Sequence, residues 1–207
     1  MAKRIILASG SPRRSELLTQ IGISFEVITS QQEETYQSCN PCEIVQELSQ
    51  MKASHVAQGL LAKGQKCKNL EGQKKQLEED LIVIGADTIV VLEGEILEKP
   101  VDAEDAFSML SKLQGRPHQV YTGVTLIRYD TAGNEQLHLF TEETKVYVHP
   151  MSEQEIREYI AQGECFDKAG GYGIQGKFAA FIERIEGDYY NVMGLPLSRV
   201  YQELKKW

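Results

Sequence analysis

Residues 4–22 join a short apolar run, a turn of small residues and a helical pattern, and this order constrains the fold more than any other stretch. The apolar run at positions 5–7 has the length and composition of a buried strand. Small residues then allow a sharp turn, and a serine followed by a proline is a typical helix start. The turn and the helix start are Ser9, Gly10, Ser11 and Pro12. Apolar residues at helical spacing and a terminal glycine follow, so the stretch predicts a strand, a tight turn and a helix.

Two arginines occupy the first turn of this predicted helix, where the helix dipole disfavours cations. Arg13 and Arg14 each lose roughly 0.3 to 1 kcal/mol there unless an anion binds beside them. The first-turn N–H groups, the small Ser9 and two guanidinium groups converge on one point, which suits a di- or triphosphate. The alternative is an ordinary connection with two solvated arginines. The turn lacks both G-x-x-x-x-G-K-[ST] and G-x-G-x-x-G, so neither a P-loop nor a dinucleotide site is supported.

A second stretch, residues 81–92, is apolar almost throughout and predicts a buried strand that contains one carboxylate. An unpaired carboxylate in a buried strand costs several kcal/mol, so Asp87 must pair, coordinate a metal or face a cleft. Gly85 nearby permits a bulge or the close approach of a ligand. Because perturbed carboxylates concentrate at functional sites, a functional role is favoured for Asp87.

The composition limits the classes of protein to consider. The chain has 207 residues, 42% of them hydrophobic, which is enough for one domain with two lobes. Its formal net charge of -8 disfavours a nonspecific binder of nucleic acid or of a membrane surface. No segment has the pattern of a signal peptide or a membrane span, which predicts a cytoplasmic protein. Residues 63–80, rich in lysine, glutamate, glycine and glutamine, predict a mobile surface insertion.

Five other polar residues are candidates for a site, and each is weak alone. Glu33 and Glu34 lie in an acidic segment and are either solvated or ligands of a divalent cation. Lys52 lies beside the buried face of a predicted long helix, from which it could reach a cleft. Lys99 ends a short strand and could contact a phosphate. Gln175 lies in a glycine-rich segment, where its amide could read the edge of a base, although a plain flexible loop fits equally.

Cys39 and Cys42 form a Cys-x-x-Cys sequence, which opens a different reading as a thiol redox protein or a zinc site. Cys42 would lie at a helix N-terminus, where the pKa of a thiol tends to fall. Zinc usually requires a second pair of ligands, and the sequence lacks one. Incidental thiols are therefore favoured.

Six motifs, in order, resemble those of the Maf family of nucleotide pyrophosphatases and span nearly the whole chain. The resemblance implies an α/β fold like that of inosine triphosphate pyrophosphatases, with a long mixed central sheet flanked by helices and a substrate cleft between two lobes. It also implies hydrolysis of a nucleoside triphosphate between its α- and β-phosphates, with a divalent cation, Mg²⁺ or Mn²⁺. The motifs are LASGSPRR at 7–14, GADT at 85–88, EKP at 98–100, YTG at 121–123, DKAGGYGIQG at 167–176 and GLPL at 194–197.

The same resemblance implies roles for individual residues. Asp87 matches the family's catalytic acid, the base that activates water. Arg13, Thr88 and Gln175 match three positions that sort substrates, and they differ from the branch that acts on 7-methylguanosine triphosphate. The resemblance therefore implies dTTP and UTP as substrates, with modified pyrimidine triphosphates as further ones.

The chemistry of a phosphoanhydride agrees with these roles, because its cleavage requires neutralised phosphates, an aligned water and a base. Glu33 and Asp87 can place a metal and the water. The residues expected to bind the substrate are Ser9, Arg13, Arg14, Lys52, Thr88, Lys99 and Gln175. An alternative is a nucleotide-binding regulator of septum formation or cell division that does not depend on catalysis. The sequence leaves the oligomeric state open, a homodimer included.

Overall fold

The computed structural model describes residues 3–63 and 77–207. Before the undescribed segment, the chain forms β1 (Lys3–Leu7), α1 (Pro12–Gln20), β2 (Glu26–Val27) and α2 (Pro41–Lys63). After it come β3 (Asp80–Leu92), β4 (Glu95–Leu97), α3 (Ala103–Leu113), β5 (Pro117–Tyr129), β6 (Glu135–Val148), α4 (Glu153–Ile160), β7 (Ile182–Glu186), α5 (Tyr189–Val192) and α6 (Leu197–Leu204). Within the described residues, no helix is long and apolar enough to cross a membrane.

The strands form one mixed sheet in the order β2-β1-β3-β5-β6-β7, and β4 pairs with the end of β3. β1 is parallel to both β2 and β3, whereas β4 on β3 and β7 on β6 are antiparallel. This architecture confirms the α/β class with a long mixed sheet. The chain divides into a first unit, Met1–Asp87 with Gly123–Thr141, and a second unit, Thr88–Thr122 with Glu142–Trp207. The substrate cleft implied by the resemblance stays a prediction.

In the first unit, helix α2 rests directly on the sheet because two strand positions are glycine. A Cβ on Gly85 would lie 2.3 Å from the carbonyl oxygen of Ser49, and one on Gly123 would lie 2.2 Å from that of Val45. The contact is completed by a hydrogen bond of 2.9 Å between the buried hydroxyls of Ser49 and Thr125. The close approach that Gly85 permits is therefore that of a helix, and not of a ligand.

The strand β3 begins at a buried acidic residue. Asp80 is 2% exposed and accepts hydrogen bonds from the Arg128 guanidinium at 2.6 Å and from the N–H of Thr131 at 3.2 Å. Asp80 thus belongs to the sheet and not to the surface insertion predicted for residues 63–80. The central part of that predicted insertion, residues 64–76, lies outside the described residues.

The second unit has its own core, in which an aromatic cluster replaces part of a predicted strand. The sequence predicts a strand at 178–185, yet residues Lys177–Phe181 form a 3₁₀ turn and β7 begins only at Ile182. The turn brings Phe178 and Phe181 to the same side, with ring centroids 5.7 Å apart, and Phe178 also contacts Tyr172 at 4.7 Å. Burial of these rings favours the turn over an extended backbone.

His118 in the same core is expected to make stability depend on pH. Burial lowers the pKa of His118 from 6.5 to about 4, and its Nε2 lies 2.6 Å from the Tyr172 hydroxyl. Between these two pH values, the ring is therefore neutral in the folded protein, whereas in the unfolded chain it binds a proton. The contribution of the neutral His118 ring to the free energy of unfolding is complete above pH 6.5 and is lost as the pH falls towards 4. The total loss is about 3 kcal/mol.

Urea unfolding of the wild type and of His118→Gln at several pH values measures this contribution. The difference in unfolding free energy between the two proteins should shrink as the pH falls through this window. A difference that stays constant with pH would contradict the prediction.

Candidate functional site

The turn after β1 is closed by its serine and its second arginine. Ala8 continues the sheet by donating its N–H to the carbonyl of Ile84 at 2.8 Å, and the chain then turns into α1. The Ser9 hydroxyl oxygen accepts a hydrogen bond from Arg14 Nη1 at 2.9 Å and one from the N–H of Ser11 at 3.3 Å. Ser11 occupies the N-cap position, but its side chain makes no capping hydrogen bond. Ser9 therefore orders the turn and holds the guanidinium of Arg14.

The Arg14 side chain is almost fully buried, which is unusual for a cation. Burial lowers the pKa of its guanidinium from the ordinary value, attraction by Asp87 opposes this shift, and repulsion by Arg13 adds to it. Arginine nevertheless stays protonated in proteins. Two guanidinium groups, one of them buried, thus create a positive site beside carboxylates.

Asp87 and Lys52 form the central ion pair of the first unit. Lys52 Nζ lies 2.5 Å from Asp87 Oδ1, and both side chains are little exposed, 13% for the lysine and 11% for the aspartate. The same Nζ lies 2.9 Å from Glu34 Oε2, which is more exposed. Lys52 reaches this position from the middle of α2, which the contact at Gly85 holds against β3. A buried carboxylate, its lysine and a second carboxylate therefore meet at one point.

Two of these carboxylates are the candidates for holding a divalent cation. Among residues 3–63 and 77–207, no group of three or more His, Cys, Asp or Glu side chains could hold a metal. Mg²⁺, however, is commonly bound by only one or two carboxylates together with substrate phosphates and water. Asp87 and Glu34 both contact Lys52 Nζ and are therefore the two carboxylates that could form such a pair.

In the second unit, a hydroxyl pair and a glycine-rich segment carry the remaining candidates. Thr88 Oγ1 lies 2.9 Å from Thr122 Oγ1. Lys99 and Gln175 are exposed. The segment that carries Gln175 is joined to the one that carries Lys99, because the N–H of Gly170 donates to the carbonyl of Glu98 at 3.0 Å.

The glycine-rich segment folds closely over its own side chains. Lys168 Nζ donates to the carbonyl of Glu164 and to Asp167 Oδ1, each at 2.5 Å. A Cβ on Gly173 would lie 2.7 Å from Lys168 Cε, so the lysine chain lies directly under this glycine. The role of the exposed Gln175 stays a prediction.

The sequence matches one protein family over residues 4–207, and that family is described as Maf-like protein. The chain belongs to the Maf family. A protein of Agathobacter rectalis named dTTP/UTP pyrophosphatase is 50% identical over 98% of this chain and 97% of its own length. A protein of the same name from Lachnoclostridium phytofermentans is 46% identical over 99% of this chain and 95% of its own. The family predicted from the six motifs is therefore confirmed.

Two solved structures also match this Maf chain. The match to the dITP/XTP pyrophosphatase of Mycobacterium abscessus covers 72% of this chain and 76% of that protein, at 14% identity and a TM-score of 0.36. The match to the Ham1 protein of Staphylococcus aureus covers 71% of this chain and 72% of that protein, at 15% identity and a TM-score of 0.39.

In the first unit, most of the predicted site residues lie close together in the structure. Ser9, Arg14, Lys52 and Asp87 are linked by the contacts above, and Arg13 acts electrostatically on Arg14. Of the two glutamates predicted as possible metal ligands, Glu34 is the one that contacts Lys52. Its neighbour Glu33 is exposed, and its role as a ligand stays a prediction. No pattern separates the two, because this segment of the chain has neither helical nor strand periodicity.

The two cysteines of the Cys-x-x-Cys sequence lie at the start of α2 and form no disulfide. Cys39 is exposed, and Cys42, the second residue of the helix, is partly buried. Asn40 caps this helix end by accepting a hydrogen bond from the N–H of Cys42 at 2.9 Å. The redox and zinc readings stay predictions.

Proposed function

We propose that this Maf protein hydrolyses dTTP and UTP to the nucleoside monophosphate and pyrophosphate. The observation that carries the proposal is the pair of Lys52 and Asp87, which lies within electrostatic range of the buried Arg14. Cleavage of a phosphoanhydride by water requires a base and a positively charged site for the phosphates. The base and the phosphates must also be held in a fixed position relative to each other. The names of relatives 46% and 50% identical over nearly the whole chain give the substrates.

Asp87 acts as the general base in this proposal. Its carboxylate is held by Lys52 Nζ at 2.5 Å. The backbone of Asp87 lies in the middle of β3. A carboxylate that is oriented in this way can accept a proton from water as the oxygen attacks the phosphorus. The lysine holds the carboxylate in one orientation.

The cationic residues bind the triphosphate. Arg14 is anchored on Ser9 and is buried, so its guanidinium loses little side-chain entropy when it binds phosphate oxygens. We assign Arg13, Lys52 and Lys99 to the same task and Thr88 and Gln175 to the nucleoside. Positive charge concentrated at this site also overcomes the repulsion between a triphosphate and a protein of formal net charge -8.

A divalent cation, Mg²⁺ or Mn²⁺, completes the site in this proposal. Glu34 or Glu33, with Asp87, would hold it together with substrate phosphates. The cation supplies neutralisation of the negative charge on the phosphate oxygens. A cytoplasmic location and a homodimeric state stay predictions from the sequence.

A panel of nucleoside triphosphates tests the function. Wild-type protein with Mg²⁺ or Mn²⁺ is incubated with dTTP, UTP, CTP, dATP, GTP and 7-methylguanosine triphosphate, and the products are separated by anion-exchange chromatography. We expect monophosphate and pyrophosphate from dTTP and UTP, and no turnover after chelation. A preference for 7-methylguanosine triphosphate, or orthophosphate as the released product, would contradict the proposal.

Two neighbouring substitutions decide which glutamate assists the cation. Because Glu34 shares Lys52 with Asp87, Glu34→Gln is expected to raise the Mg²⁺ concentration for half-maximal activity about tenfold or more. Glu33→Gln removes the same charge one residue away and serves as the matched comparison. A larger increase in this Mg²⁺ concentration for Glu33→Gln would indicate that Glu33, and not Glu34, binds the cation.

A further inference from the structure

Glu34 lies in a segment, residues 29–39, whose backbone does not hold it in place. The N–H of Ile28 donates to the carbonyl of Leu7 at 3.1 Å, and the next backbone–backbone hydrogen bond along the chain is accepted by the carbonyl of Asn40 at 2.9 Å. Residues 29–39 themselves make no such bond with any residue that the structure describes. Contacts that involve side chains therefore determine where Glu34 lies.

Contacts on both sides of Glu34 tie this segment to helix α2. Before Glu34, the Ser30 hydroxyl lies 2.8 Å from His55 Nδ1, and this contact is the near anchor. After Glu34, the N–H of Gln37 donates to Glu47 Oε2 at 2.8 Å, and this contact is the far anchor. Between the two anchors, Glu34 Oε2 lies 2.9 Å from the lysine of the central ion pair. The segment therefore runs along α2 in the opposite direction, and the anchors fix where Glu34 meets the helix.

The two anchors are not equally strong. The far anchor is supported by a second hydrogen bond, because the Ser38 hydroxyl donates to Glu43 Oε2 at 2.6 Å. In the described part of the chain, the contact of Ser30 with His55 is the one side-chain hydrogen bond that joins residues 29–33 to α2. The position of Glu34 is therefore most sensitive to the near anchor.

The Ser30 hydroxyl also shapes the chain that leads to Glu34. It accepts a hydrogen bond from the N–H of Gln32 at 3.2 Å while it contacts His55. A hydroxyl has one hydrogen and two lone pairs, so Ser30 can meet both partners at once, whichever tautomer His55 adopts. Ser30 thus couples the position of His55 on the helix to the path of the chain before Glu34.

The ion pair of Glu34 with Lys52 is weak by itself. The side chain of Glu34 is 55% exposed, and an ion pair of so exposed a carboxylate contributes little to stability. Fully extended, the chain between the two anchors would reach about 23 Å. The stretch of α2 between the same anchors is only about 12 Å long. The segment therefore has slack, and without the near anchor Glu34 can leave the lysine.

We propose that Ser30 and His55 are positioning residues that hold Glu34 beside Asp87 and so set the concentration of divalent cation that turnover requires. The inference rests on the proposed function, in which a glutamate and Asp87 hold the cation, and it selects Glu34 as that glutamate. Ser30 and His55 act through Glu34 and not on the reacting atoms. The other groups of the site have anchors of their own, in β3 and in the turn after β1. Saturating cation should therefore restore kcat when the near anchor is removed.

The substitution His55→Ala tests the inference. His55 is exposed and alanine favours a helix, so the variant should fold as the wild type does. The Mg²⁺ concentration for half-maximal hydrolysis of dTTP should rise about threefold to tenfold, the worth of one hydrogen bond, while kcat at saturating Mg²⁺ changes by less than about twofold. Ser30→Ala should have the same effect. A wild-type Mg²⁺ requirement in both variants would overturn the inference.

Conservative replacements separate positioning from a general change of structure. His55→Asn places an amide group near the position of Nδ1 and should keep most of the wild-type Mg²⁺ requirement. Ser30→Thr keeps the hydroxyl and should do the same. Gln58→Ala, at an exposed position of the same helix, is the matched control and should leave the requirement unchanged. A rise in Gln58→Ala as large as in His55→Ala would assign the effect to the helix and overturn the inference.

A double-mutant cycle shows whether the near anchor acts through Glu34. In the Glu34→Gln background there is no carboxylate to position, so adding His55→Ala should raise the Mg²⁺ requirement no further. A second rise by the same factor would overturn the inference. A wild-type Mg²⁺ requirement in Glu34→Gln would overturn it as well, because Glu34 would then not assist the cation.

Cation binding without turnover gives an independent measurement. Calorimetry with Mn²⁺, in the presence of a nonhydrolysable dTTP analogue, should give a dissociation constant that rises in His55→Ala by the same factor as the Mg²⁺ requirement. If the wild type hydrolyses neither dTTP nor UTP, the proposed function fails, and this dissociation constant alone decides the inference. Equal dissociation constants for the wild type and His55→Ala would overturn the inference whether or not dTTP is hydrolysed.

Discussion

Replacing Asp87 with asparagine is expected to lower kcat for dTTP and UTP by roughly 10² to 10⁴-fold, the usual contribution of a general base. Asparagine has nearly the same shape but cannot accept the proton of the attacking water. Lys52 keeps its second partner, Glu34, at 2.9 Å, so the lysine is not left without a counter-charge. Pyrophosphate release measures kcat, and calorimetry with a nonhydrolysable dTTP analogue measures binding, which should weaken far less.

Asp80→Asn provides a matched control for this substitution. Asp80 is the other buried aspartate of the same strand, but it binds Arg128 at 2.6 Å. Its replacement should lower the free energy of unfolding and leave kcat of the folded protein unchanged. If Asp87→Asn abolishes nucleotide binding together with turnover, Asp87 contributes to binding and is not primarily a base.

Replacing Gly85 with alanine is expected to have the largest effect on folding. The new methyl group would lie 2.3 Å from the carbonyl oxygen of Ser49, and real Cβ atoms do not approach backbone this closely. Helix α2 must therefore move away from β3, which costs at least the 1–3 kcal/mol typical of an overpacked core. Because α2 carries Lys52, the displacement should also lower activity in any protein that remains folded. Chemical unfolding and dTTP turnover measure the two effects.

Gly59→Ala is the control for the helix side of this contact. Gly59 lies in the same helix, and a Cβ there meets nothing within 4 Å. Alanine is a better helix former than glycine, so this variant should gain about 0.5 to 1 kcal/mol of stability. A Gly85→Ala protein as stable and as active as the wild type would show that α2 adapts and that its position does not fix Lys52.

Sequence reasoning predicted the local structure well where short-range patterns carry the information. The strand, turn and helix of residues 4–22 form as predicted, because capping and apolar spacing act over a few residues. Asp87 was identified as an exception within an apolar strand. The same reasoning did not identify Asp80, which was placed in a surface insertion although it is buried. Its partner Arg128 lies 48 positions away, and such pairing leaves no local pattern.

The glycines show the same limit. A glycine in a strand indicates a close approach, and Gly85 and Gly123 both have one. Whether the approaching group is a ligand or a helix depends on how the chain folds back on itself. The choice between Glu33 and Glu34 is similar, because only the path of an irregular segment decides which side chain reaches Lys52.

From the sequence one could derive the α/β class, the Maf family and the strand, turn and helix of residues 4–22, and could single out Asp87 as the candidate base. These conclusions depend on the order and identity of residues that are near each other along the chain. The folded chain was needed to show that Lys52 holds both Asp87 and Glu34 and that α2 lies on two glycines. The reason is physical, since the pairing of a buried charge and the close contact of a helix with a strand depend on atoms that only folding brings together.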